Sequence, residues 1–293
     1  MKKLKLIQRG DTPHWVGDGF PVRTLFTYND LAQHISPFLL LDYAGPTEFS
    51  PTNKKRGVGE HPHRGFETVT IVYSGEVEHR DSAGGGGKIG PGEVQWMTAA
   101  SGLVHEEMHG QDFAKKGGRF EMVQLWVNLP AKSKMAAPRY QGISKSQIPN
   151  LPLPNGAGSL SVIAGEFLGH QGPAKTFTPV NLWNVELLAN KTAELRMPKG
   201  HTCLVFVLAG ELRLNSGEIV HEAELAVLDT EDELFSLSAA RDTKMLIMGG
   251  EPLNEPIVGY GPFVMNSGAE IQQAFADFAD GRMGHIGPIE GSQ

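Results

Sequence analysis

Residues 60–81 read EHPHRGFETVTIVYSGEVEHRD. The stretch places His61 and His63 one residue apart and follows them with a run of Val, Thr and Ile that ends at a glycine, after which a second alternating run begins. Runs of this length, rich in β-branched residues and bounded by glycine, are typical of β-strands. The stretch therefore predicts a β-hairpin that starts beside two imidazoles.

Segments of the same kind recur along the whole chain of 293 residues. Its 36 glycines and 19 prolines are spread between short apolar runs, and 40% hydrophobic residues supply material for a core. Residues 142–158, GISKSQIPNLPLPNGAG, are dense in Pro, Asn, Ser and Gly and show no periodicity. We therefore expect an all-β protein with a first barrel over residues 1–141, a connector over 142–158 and a second barrel over 159–293.

Two further patterns refine this division. Residues 68–81, TVTIVYSGEVEHRD, and residues 203–216, CLVFVLAGELRLNS, each pass from an apolar strand through Gly-Glu into a second strand. This echo predicts duplicated barrels, although a common hairpin gives the same pattern without duplication. Residues 268–281, GAEIQQAFADFADG, place Ile271, Phe275 and Phe278 at helical spacing and predict a short C-terminal helix.

Charge and cysteine content exclude several classes of protein. With 26 basic and 33 acidic residues the formal charge is −7, so no positive field attracts a polyanion and no direct nucleic-acid partner is expected. Cys203 is the only cysteine, which excludes an internal disulfide and a cysteine-rich zinc module and fits a reducing compartment. No apolar run of membrane-spanning length and no secretory leader pattern is visible. We expect a soluble, cytoplasmic protein without a membrane partner.

Strand geometry turns the paired histidines into a candidate metal site. Residues i and i+2 of a strand face the same side, so His61 and His63 point together. Residues 102–110, GLVHEEMHG, repeat the spacing with His105 and Glu107, and Glu106 between them faces the opposite way. If the two strands are neighbours, three imidazoles and one carboxylate converge. Such a mixed set suits Fe(II) or another divalent first-row ion with open positions for chemistry.

Four other histidines are read as lying outside this site. His79 stands in a polar strand or turn, and His109 follows Glu107 by two residues, where it can support the site without binding the ion. In the second half, His201 and His221 each stand without a histidine or acid at matched spacing. The second barrel is therefore expected to lack a complete metal site.

Three motifs carry a resemblance to a known family. HPHRGFETVT at residues 61–70, GKIGPGEVQWMTAASGLVHEEM at 87–108 and EPIVGYGPFVMNSGAEIQQAFADF at 255–278 resemble the pirin family, which are bicupins of the cupin superfamily. The resemblance covers essentially the whole chain. It implies two cupin, jelly-roll-like β-barrels in tandem, of which the N-terminal barrel holds one metal ion.

The resemblance also implies which residues bind that ion. The family's ligands fall on His61, His63, His105 and Glu107, the same set that strand parity indicates. In many other cupins the carboxylate ligand is the acid of the first motif, here Glu67, whose parity also faces the histidine pair if the strand stays regular. The intervening residues RGF favour a bend, and the pirin pattern uses the acid after the histidine of the second motif, so Glu107 is favoured while Glu67 stays open. The implied ion is Fe(II), with Mn, Ni, Co, Cu and Zn as alternatives.

What the resemblance implies about activity divides into two hypotheses. Some members open flavonols such as quercetin with dioxygen, which predicts a quercetin 2,3-dioxygenase-like enzyme in which Glu107 takes a proton from a small aromatic substrate. Others are redox-sensitive partners of transcription factors or bind metabolic enzymes, which predicts an iron-dependent regulator with a protein partner. A third option, a sugar or small-acid isomerase, needs charged groups near the metal, and Arg64 and Arg119 are the candidates. We expect a monomer.

Overall fold

The computed structural model describes residues 1–10, 12–215 and 217–287, and most of them lie in strands. In chain order, the strands up to residue 143 are β1 (Leu4–Arg9), β2 (Pro13–Val16), β3 (Phe20–Thr27), β4 (Phe38–Phe49), β5 (Gly57–His63), β6 (Phe66–Ser74), β7 (Val77–Asp81), β8 (Gly86–Ile89), β9 (Val94–Thr98), β10 (Leu103–His109), β11 (Gly118–Asn128) and β12 (Arg139–Ile143). The later strands are β13 (Asn150–Pro152), β14 (Gly158–Ala164), β15 (Glu166–Phe167), β16 (His170–Gln171), β17 (Val180–Leu187), β18 (Lys191–Arg196), β19 (Thr202–Ala209), β20 (Glu211–Leu214), β21 (Ile219–His221), β22 (Glu224–Leu228), β23 (Leu234–Ala239), β24 (Thr243–Gly250), β25 (Val258–Tyr260) and β26 (Phe263–Met265). The predicted all-β class is confirmed.

Short helices interrupt the strands. The α-helices are α1 (Tyr28–Ile35), α2 (Gln111–Lys116) and α3 (Gly268–Ala279), and 3-10 turns occupy Ala131–Ser133, Lys145–Gln147 and Pro154–Gly156. The predicted C-terminal helix is therefore confirmed as α3, whereas α1 and α2 were not predicted because neither is long enough to show a clear period. None of the helices in the described parts of the chain has the length and apolar character needed to cross a membrane.

The chain forms two compact units, and each is assembled from three separate segments of the sequence. One unit, called here the first barrel, contains Pro13–Val22, Tyr43–Ser144 and the described residues from Glu255 on. The other, the second barrel, contains Met1–Thr12, Arg23–Asp42 and Lys145–Asn254. These units differ from the linear division expected over 1–141, 142–158 and 159–293. Residues 288–293 of that division, and Ser216 of the predicted repeat, lie outside the described residues.

Both barrels are built on one topological plan. The first uses a sheet of order β12-β9-β6-β11-β4-β3-β2 and a sheet of order β5-β10-β7-β8. The second uses the orders β1-β22-β19-β24-β17-β14-β13 and β18-β23-β20-β21. Hairpin β6-β7 thus takes the same place in the first barrel as β19-β20 in the second, so the echo predicted from sequence reflects a duplicated architecture.

The segment expected to be a bare connector takes part in the second barrel. Strand β13 within it pairs antiparallel with β14, as Leu151 faces Leu160 in the register. Leu153 is also 2% exposed and joins the apolar core of that barrel. The high Pro and Gly content of residues 142–158 therefore marks tight turns rather than a chain without structure.

The interiors of the two barrels differ in polarity. The second is filled with apolar side chains, among them Trp183, Val205 and Met245, each at most 2% exposed. The first has an apolar end around Phe20, Phe120 and Met122. Its other end holds buried histidine, glutamate, glutamine and threonine side chains. This polar end contains His63, His105 and Glu107, three of the candidate ligands predicted from the sequence.

Candidate metal centre

The two histidine-bearing segments are neighbouring strands. β5 pairs antiparallel with β10, and His61 lies directly opposite His105 in the register. Residues directly opposite each other in a sheet bring their side chains together on the same face. The two segments, about forty residues apart in the sequence, are therefore adjacent strands, as the predicted metal site requires.

Three imidazoles converge at this point. His61, His63 and His105 each offer a ring nitrogen, and these nitrogens all lie within 4.8 Å of one another. The ring centroids of His61 and His105 are 4.2 Å apart, and those of His63 and His105 are 5.0 Å apart. Neutral imidazole nitrogens at this separation are a suitable arrangement for a divalent ion.

Backbone carbonyls orient the first two rings. His61 donates through Nδ1 to the carbonyl of Gly59 at 2.7 Å, and His63 donates through Nδ1 to the carbonyl of Pro262 at 3.2 Å. Because a carbonyl only accepts, Nδ1 carries the proton and Nε2 keeps a lone pair. Nε2 of His105 is buried and has no hydrogen-bond partner. A buried nitrogen without a partner, on a ring that contacts two other imidazoles, has the chemistry of a metal ligand, because a structural core histidine normally has its ring nitrogens hydrogen-bonded.

Electrostatics keep these rings in the form that binds metal. Burial, aided by the neighbouring His61, lowers the pKa of His63 to about 3. Burial and the surrounding histidines also lower the pKa of His105 well below its ordinary value. Both rings are therefore neutral at physiological pH, as a metal ligand must be.

Glu107 lies beside the imidazole cluster, deep in the barrel. A carboxylate oxygen of Glu107 and ring nitrogens of His79 and His105 all lie within 4.8 Å of one another. Oε1 accepts from Gln95 Nε2 at 2.5 Å and from Thr70 Oγ1 at 3.2 Å, while Oε2 accepts from Gln124 Nε2 at 2.8 Å. Both carboxylate oxygens of Glu107 are thus hydrogen-bonded. These contacts fix the orientation of the carboxylate.

Glu67 lies on the opposite face of its strand. Gly65 adopts φ +92°, and a Cβ there would clash with the carbonyl of Val264, so only glycine allows the chain to turn between β5 and β6. β6 then presents Thr70, which touches Glu107, and its alternate residue Glu67 points away. Glu67 instead accepts from Thr98 Oγ1 at 2.7 Å. It belongs to neither group of candidate ligands in the described residues.

Burial has a strong effect on the Glu67 carboxyl. It is 1% exposed, and burial raises its pKa to about 7, against the opposing effects of Thr98, Trp96 and Arg139. Nη2 of Arg139 lies 3.9 Å from Oε1 of Glu67. Glu67 is therefore a buried acid with weak charge compensation, outside the imidazole cluster.

Several other residues considered from sequence have structural partners elsewhere. Glu106 faces outward and pairs with Arg80, whose Nε lies 2.8 Å from Oε1. His109 donates to the carbonyl of Gly19 and lies in the aromatic cluster at the apolar end of the barrel. Arg64 and Arg119 pair with Asp277 and Glu121, each at 2.9 Å or less. Neither arginine is presented by these contacts to a ligand at the histidines.

Sequence reasoning missed the role of His79. The ring of His79 is buried and its Nδ1 lies 3.3 Å from Nδ1 of His105, while its Nε2 lies 3.0 Å from Asp81 Oδ2. The available signal was its strand parity: His79 and Asp81 are again residues i and i+2 on a strand that ends near the site. Burial acts to raise the pKa of Asp81, but the hydrogen bonds from His79, Gly85 and Ala83 together outweigh burial and hold this pKa below its usual value.

Aromatic side chains line the barrel beside His63. Trp126 stacks on Phe66 with ring centroids 4.3 Å apart and meets His63 at 5.3 Å. Trp126 lies opposite Thr68 in the register of β11 and β6. Trp126 Nε1 and Thr68 Oγ1 are both buried without a hydrogen-bond partner. The wall beside the imidazoles is thus flat and aromatic, with two unsatisfied polar atoms.

Among the described residues of the second barrel, the place that corresponds to the imidazole cluster holds apolar side chains. Strands β18 and β23, equivalent to β5 and β10, bury Ala193 and Leu195 opposite Leu237 and Phe235. His201 and His221 belong to neither candidate ligand group found among the described residues. The inward positions of this barrel are therefore apolar where those of the first barrel carry histidine and glutamate.

Comparison with known proteins places both halves of the chain in one family. Residues 19–127 match Pirin, and residues 182–284 match the Pirin C-terminal cupin domain. A Pseudomonas aeruginosa protein named "Putative quercetin 2,3-dioxygenase" is 60% identical over 282 residues, which cover 96% of this chain and 98% of that protein. A second P. aeruginosa protein of the same name is 40% identical over 278 residues, covering 92% and 95%. The crystal structure of quercetin 2,3-dioxygenase from Acinetobacter baumannii is 53% identical with a TM-score of 0.95, covering 98% of this chain and 100% of that chain.

Proposed function

This chain belongs to the pirin family, and we propose that it is a metal-dependent dioxygenase that opens a flavonol such as quercetin with O2. The observation that carries the proposal is the convergence of His61, His63 and His105, of which His105 has a buried Nε2 without a hydrogen-bond partner. Relatives that carry the name quercetin 2,3-dioxygenase support the choice of substrate class. The residues present fit a metal ion, since three lone pairs and a nearby carboxylate match a mixed N/O site.

The three imidazoles would hold the ion, with Glu107 as the carboxylate of the set. When bound, a divalent first-row ion supplies Lewis acidity that favours ionisation of an enolic hydroxyl. We propose Fe(II), and the same donors also suit Mn, Ni, Co, Cu and Zn. His61 and His63 are held by backbone carbonyls and His105 by His79, so the protein orients every ring before an ion arrives.

Glu107 is the candidate to take the proton of the substrate hydroxyl. Its Oε1 already accepts from Gln95 and Thr70, whereas Oε2 accepts from Gln124 alone. We therefore assign the proton to Oε2, which retains more accepting capacity. The hydrogen bond from Gln124 would then weaken as the charge on Oε2 is neutralised by the proton. The hydrogen bond from Gln95 to Oε1 would keep the carboxylate in place.

The aromatic wall beside His63 suits a flat, oxygenated substrate. Phe66 and Trp126 offer stacked rings, and a flavonol has both ring faces and hydroxyl or carbonyl oxygens. Thr68 Oγ1 and Trp126 Nε1 are unsatisfied donors beside that wall. A ligand oxygen that accepted from them would remove the cost of leaving them unpaired.

The test is turnover of quercetin in air. The protein is first loaded with Fe(II) under anaerobic conditions. We expect equimolar consumption of quercetin and dioxygen, both abolished in His61→Ala. His221→Ala is the matched control, because it removes an exposed histidine of the second barrel. Absence of turnover with each of the six ions, in protein shown to bind them, would reject the enzyme hypothesis.

A second candidate function is an iron-dependent, redox-sensing regulator that binds a transcription factor or a metabolic enzyme. It is favoured by one contact: His63 donates to the carbonyl of Pro262, and the same segment exposes Tyr260, 70% accessible, against Phe275. A change of charge at the imidazoles would reach this aromatic surface through Pro262. Capture of a partner in only one redox state of iron, lost in Tyr260→Ser but not in Trp15→Ser, would support this role.

A further inference from the structure

A chain of hydrogen bonds runs from a buried carboxylate to the imidazole cluster. Asp81 Oδ2 lies 3.0 Å from Nε2 of His79, and Nδ1 of His79 lies 3.3 Å from Nδ1 of His105. The Asp81 and His79 side chains are 1% and 0% exposed, and His105 is fully buried. Solvent therefore does not supply alternative partners for these nitrogens, and each must be either donor or acceptor toward its neighbour.

When both imidazoles are neutral, the donor and acceptor capacity of each group assigns the protons of this chain. A carboxylate only accepts, so Nε2 of His79 carries the proton. With both rings neutral, Nδ1 of His79 then holds a lone pair and can only accept. Nδ1 of His105 must therefore be the donor across the 3.3 Å contact. It follows that Nε2 of His105 carries no proton. This nitrogen is also the buried atom of His105 that has no hydrogen-bond partner.

We propose that Asp81 and His79 are positioning residues that set the tautomer of His105, so that Nε2 faces the imidazole cluster with its lone pair free for a metal ion. The inference rests on the proposed metal site, but the tautomer itself is a property of the metal-free protein. Unlike His61 and His63, His105 makes no orienting contact with a backbone carbonyl within the described part of the chain, and its Nδ1 contacts the Asp81–His79 pair instead.

Two features hold the pair in place. Asp81 Oδ1 accepts from the backbone N–H groups of Ala83 and Gly85 at 2.9 and 2.8 Å, which leaves Oδ2 for His79. The ring of Tyr140 stacks on His79 at 4.9 Å with an interplanar angle of 14°, which fixes the plane of the imidazole. The carboxylate and the ring are thus each held by contacts that do not involve the metal ligands.

Because backbone N–H groups hold Oδ1 of Asp81, replacing the other oxygen by an NH2 group can reverse the direction of donation along the whole series of hydrogen bonds. In Asp81→Asn, the amide oxygen is required by the N–H groups of Ala83 and Gly85, so the NH2 group faces His79. His79 Nε2 must then accept, its Nδ1 must donate, and His105 is driven to carry its proton on Nε2. A protonated Nε2 has no lone pair for an ion, although Asp81 is not among the proposed ligands.

The first test reads the tautomer directly in metal-free protein. Long-range 1H–15N spectra of the full chain, recorded at about pH 8 where imidazoles are neutral, assign which ring nitrogen of each histidine is protonated. We expect Nδ1–H for His105 in the wild type and Nε2–H in Asp81→Asn. Nε2–H for His105 in the wild type would overturn the proposal without any reference to metal binding.

The second test measures affinity for Co²⁺ by competition with a chromophoric chelator. We expect Asp81→Asn to bind about 10- to 100-fold more weakly than the wild type. Asp112→Asn makes the same change at an exposed carboxylate and should leave the affinity unchanged. His79→Asn, whose amide oxygen replaces the accepting Nδ1, should retain more affinity than His79→Leu. Equal loss in these two variants would instead make His79 itself a ligand and overturn its positioning role.

The outcomes separate this inference from the proposed function. If the wild type binds no divalent ion but His105 carries Nδ1–H that moves to Nε2 in Asp81→Asn, the metal site fails and the positioning role stands. If the wild type binds Co²⁺ and Asp81→Asn binds it equally well with its unfolding midpoint unchanged, the positioning role fails and the metal site stands.

Discussion

Arg64 and Asp277, 213 residues apart in the chain, form a buried ion pair with 2.8 Å between Nη1 and Oδ2. Arg64 directly follows His63, and Asp277 lies on the inward side of α3. Arg64 also donates through Nε to the carbonyl of Ser101 at 2.7 Å. One guanidinium therefore ties the end of a histidine-bearing strand to the C-terminal helix and to the loop that precedes β10.

Removing this acid should loosen both the helix and the imidazole cluster. In Asp277→Ala the buried Arg64 loses its counter-charge, which is costly in a desolvated environment. We expect the midpoint of thermal unfolding to fall by several degrees and the affinity for Co²⁺ to decrease, because His63 is next to the disturbed residue. Asp280→Ala, at an exposed carboxylate that also contacts Arg282, is the control. An unfolding midpoint equal to that of the control would contradict a stabilising role for the pair.

Metal binding should stabilise the native state only when the imidazole cluster is intact. An ion present at 100 times its Kd raises the free energy of unfolding by about 2.7 kcal/mol. We expect this increase with Co²⁺ in the wild type and in His221→Ala, and no increase in His105→Ala. Each protein is compared with and without the ion by urea denaturation, so that the cavity left by the substitution cancels. A full increase in His105→Ala would remove His105 from the ligand set.

The two candidate carboxylates should respond differently to the same substitution. Glu107→Gln removes a charge beside His105, and we expect a marked loss of metal content in protein purified without added ions. Glu67→Gln changes a side chain on the other face of β6 and should retain the metal. Elemental analysis of both proteins decides between them. Loss in Glu67→Gln together with retention in Glu107→Gln would move the carboxylate ligand to Glu67.

Glu67 should also make stability depend on pH. Burial raises its pKa from 4.5 to about 7, so the native state binds more protons than the unfolded state between these values. The stabilisation due to Glu67 is fully present below the unfolded pKa and is lost as pH rises through 7, by about 3 kcal/mol in total. Urea denaturation at about pH 5 and about pH 8 measures this change. We expect Glu67→Gln to flatten the dependence by this amount, and the exposed Glu186→Gln to leave it as in the wild type.

Trp126 should contribute to flavonol binding through its N–H group. Trp126→Phe keeps a ring to pack against Phe66 and His63 but removes the unpaired donor. We expect anaerobic quercetin binding to weaken by up to about 10-fold, the value of one hydrogen bond. Trp96→Phe makes the same change on β9, where Trp96 points to the other face of the sheet from its neighbours Gln95 and Met97. This variant should bind quercetin normally. Equal affinity in both variants would exclude Trp126 Nε1 as a ligand contact.

Much of the fold and part of the candidate site could be read from the sequence because the relevant signals are local. Alternation of apolar and polar residues depends only on the pleat of a strand, so the strands, the duplicated hairpin and the side on which Glu107 lies relative to Glu106 follow from neighbouring letters. The same argument was misleading across Arg64 and Gly65, where a turn places His63 and Glu67 on different strands. The positive φ of Gly65 goes with a close approach to the carbonyl of Val264, a residue almost two hundred positions away that local periodicity does not reveal.

Periodicity along the sequence therefore predicts an all-β chain with two barrels and two i, i+2 pairs of ligand-type residues. Only the folded chain shows that β5 lies beside β10, that Glu67 faces away from the imidazoles, and that Asp81, His79 and His105 form one chain of hydrogen bonds. It also shows that the described residues from Glu255 on belong to the first barrel, where Pro262 and Asp277 contact His63 and Arg64. The physical reason is that strand pairing and chain return are set by the packing of the whole molecule, whereas periodicity records only which way each side chain points along its own strand.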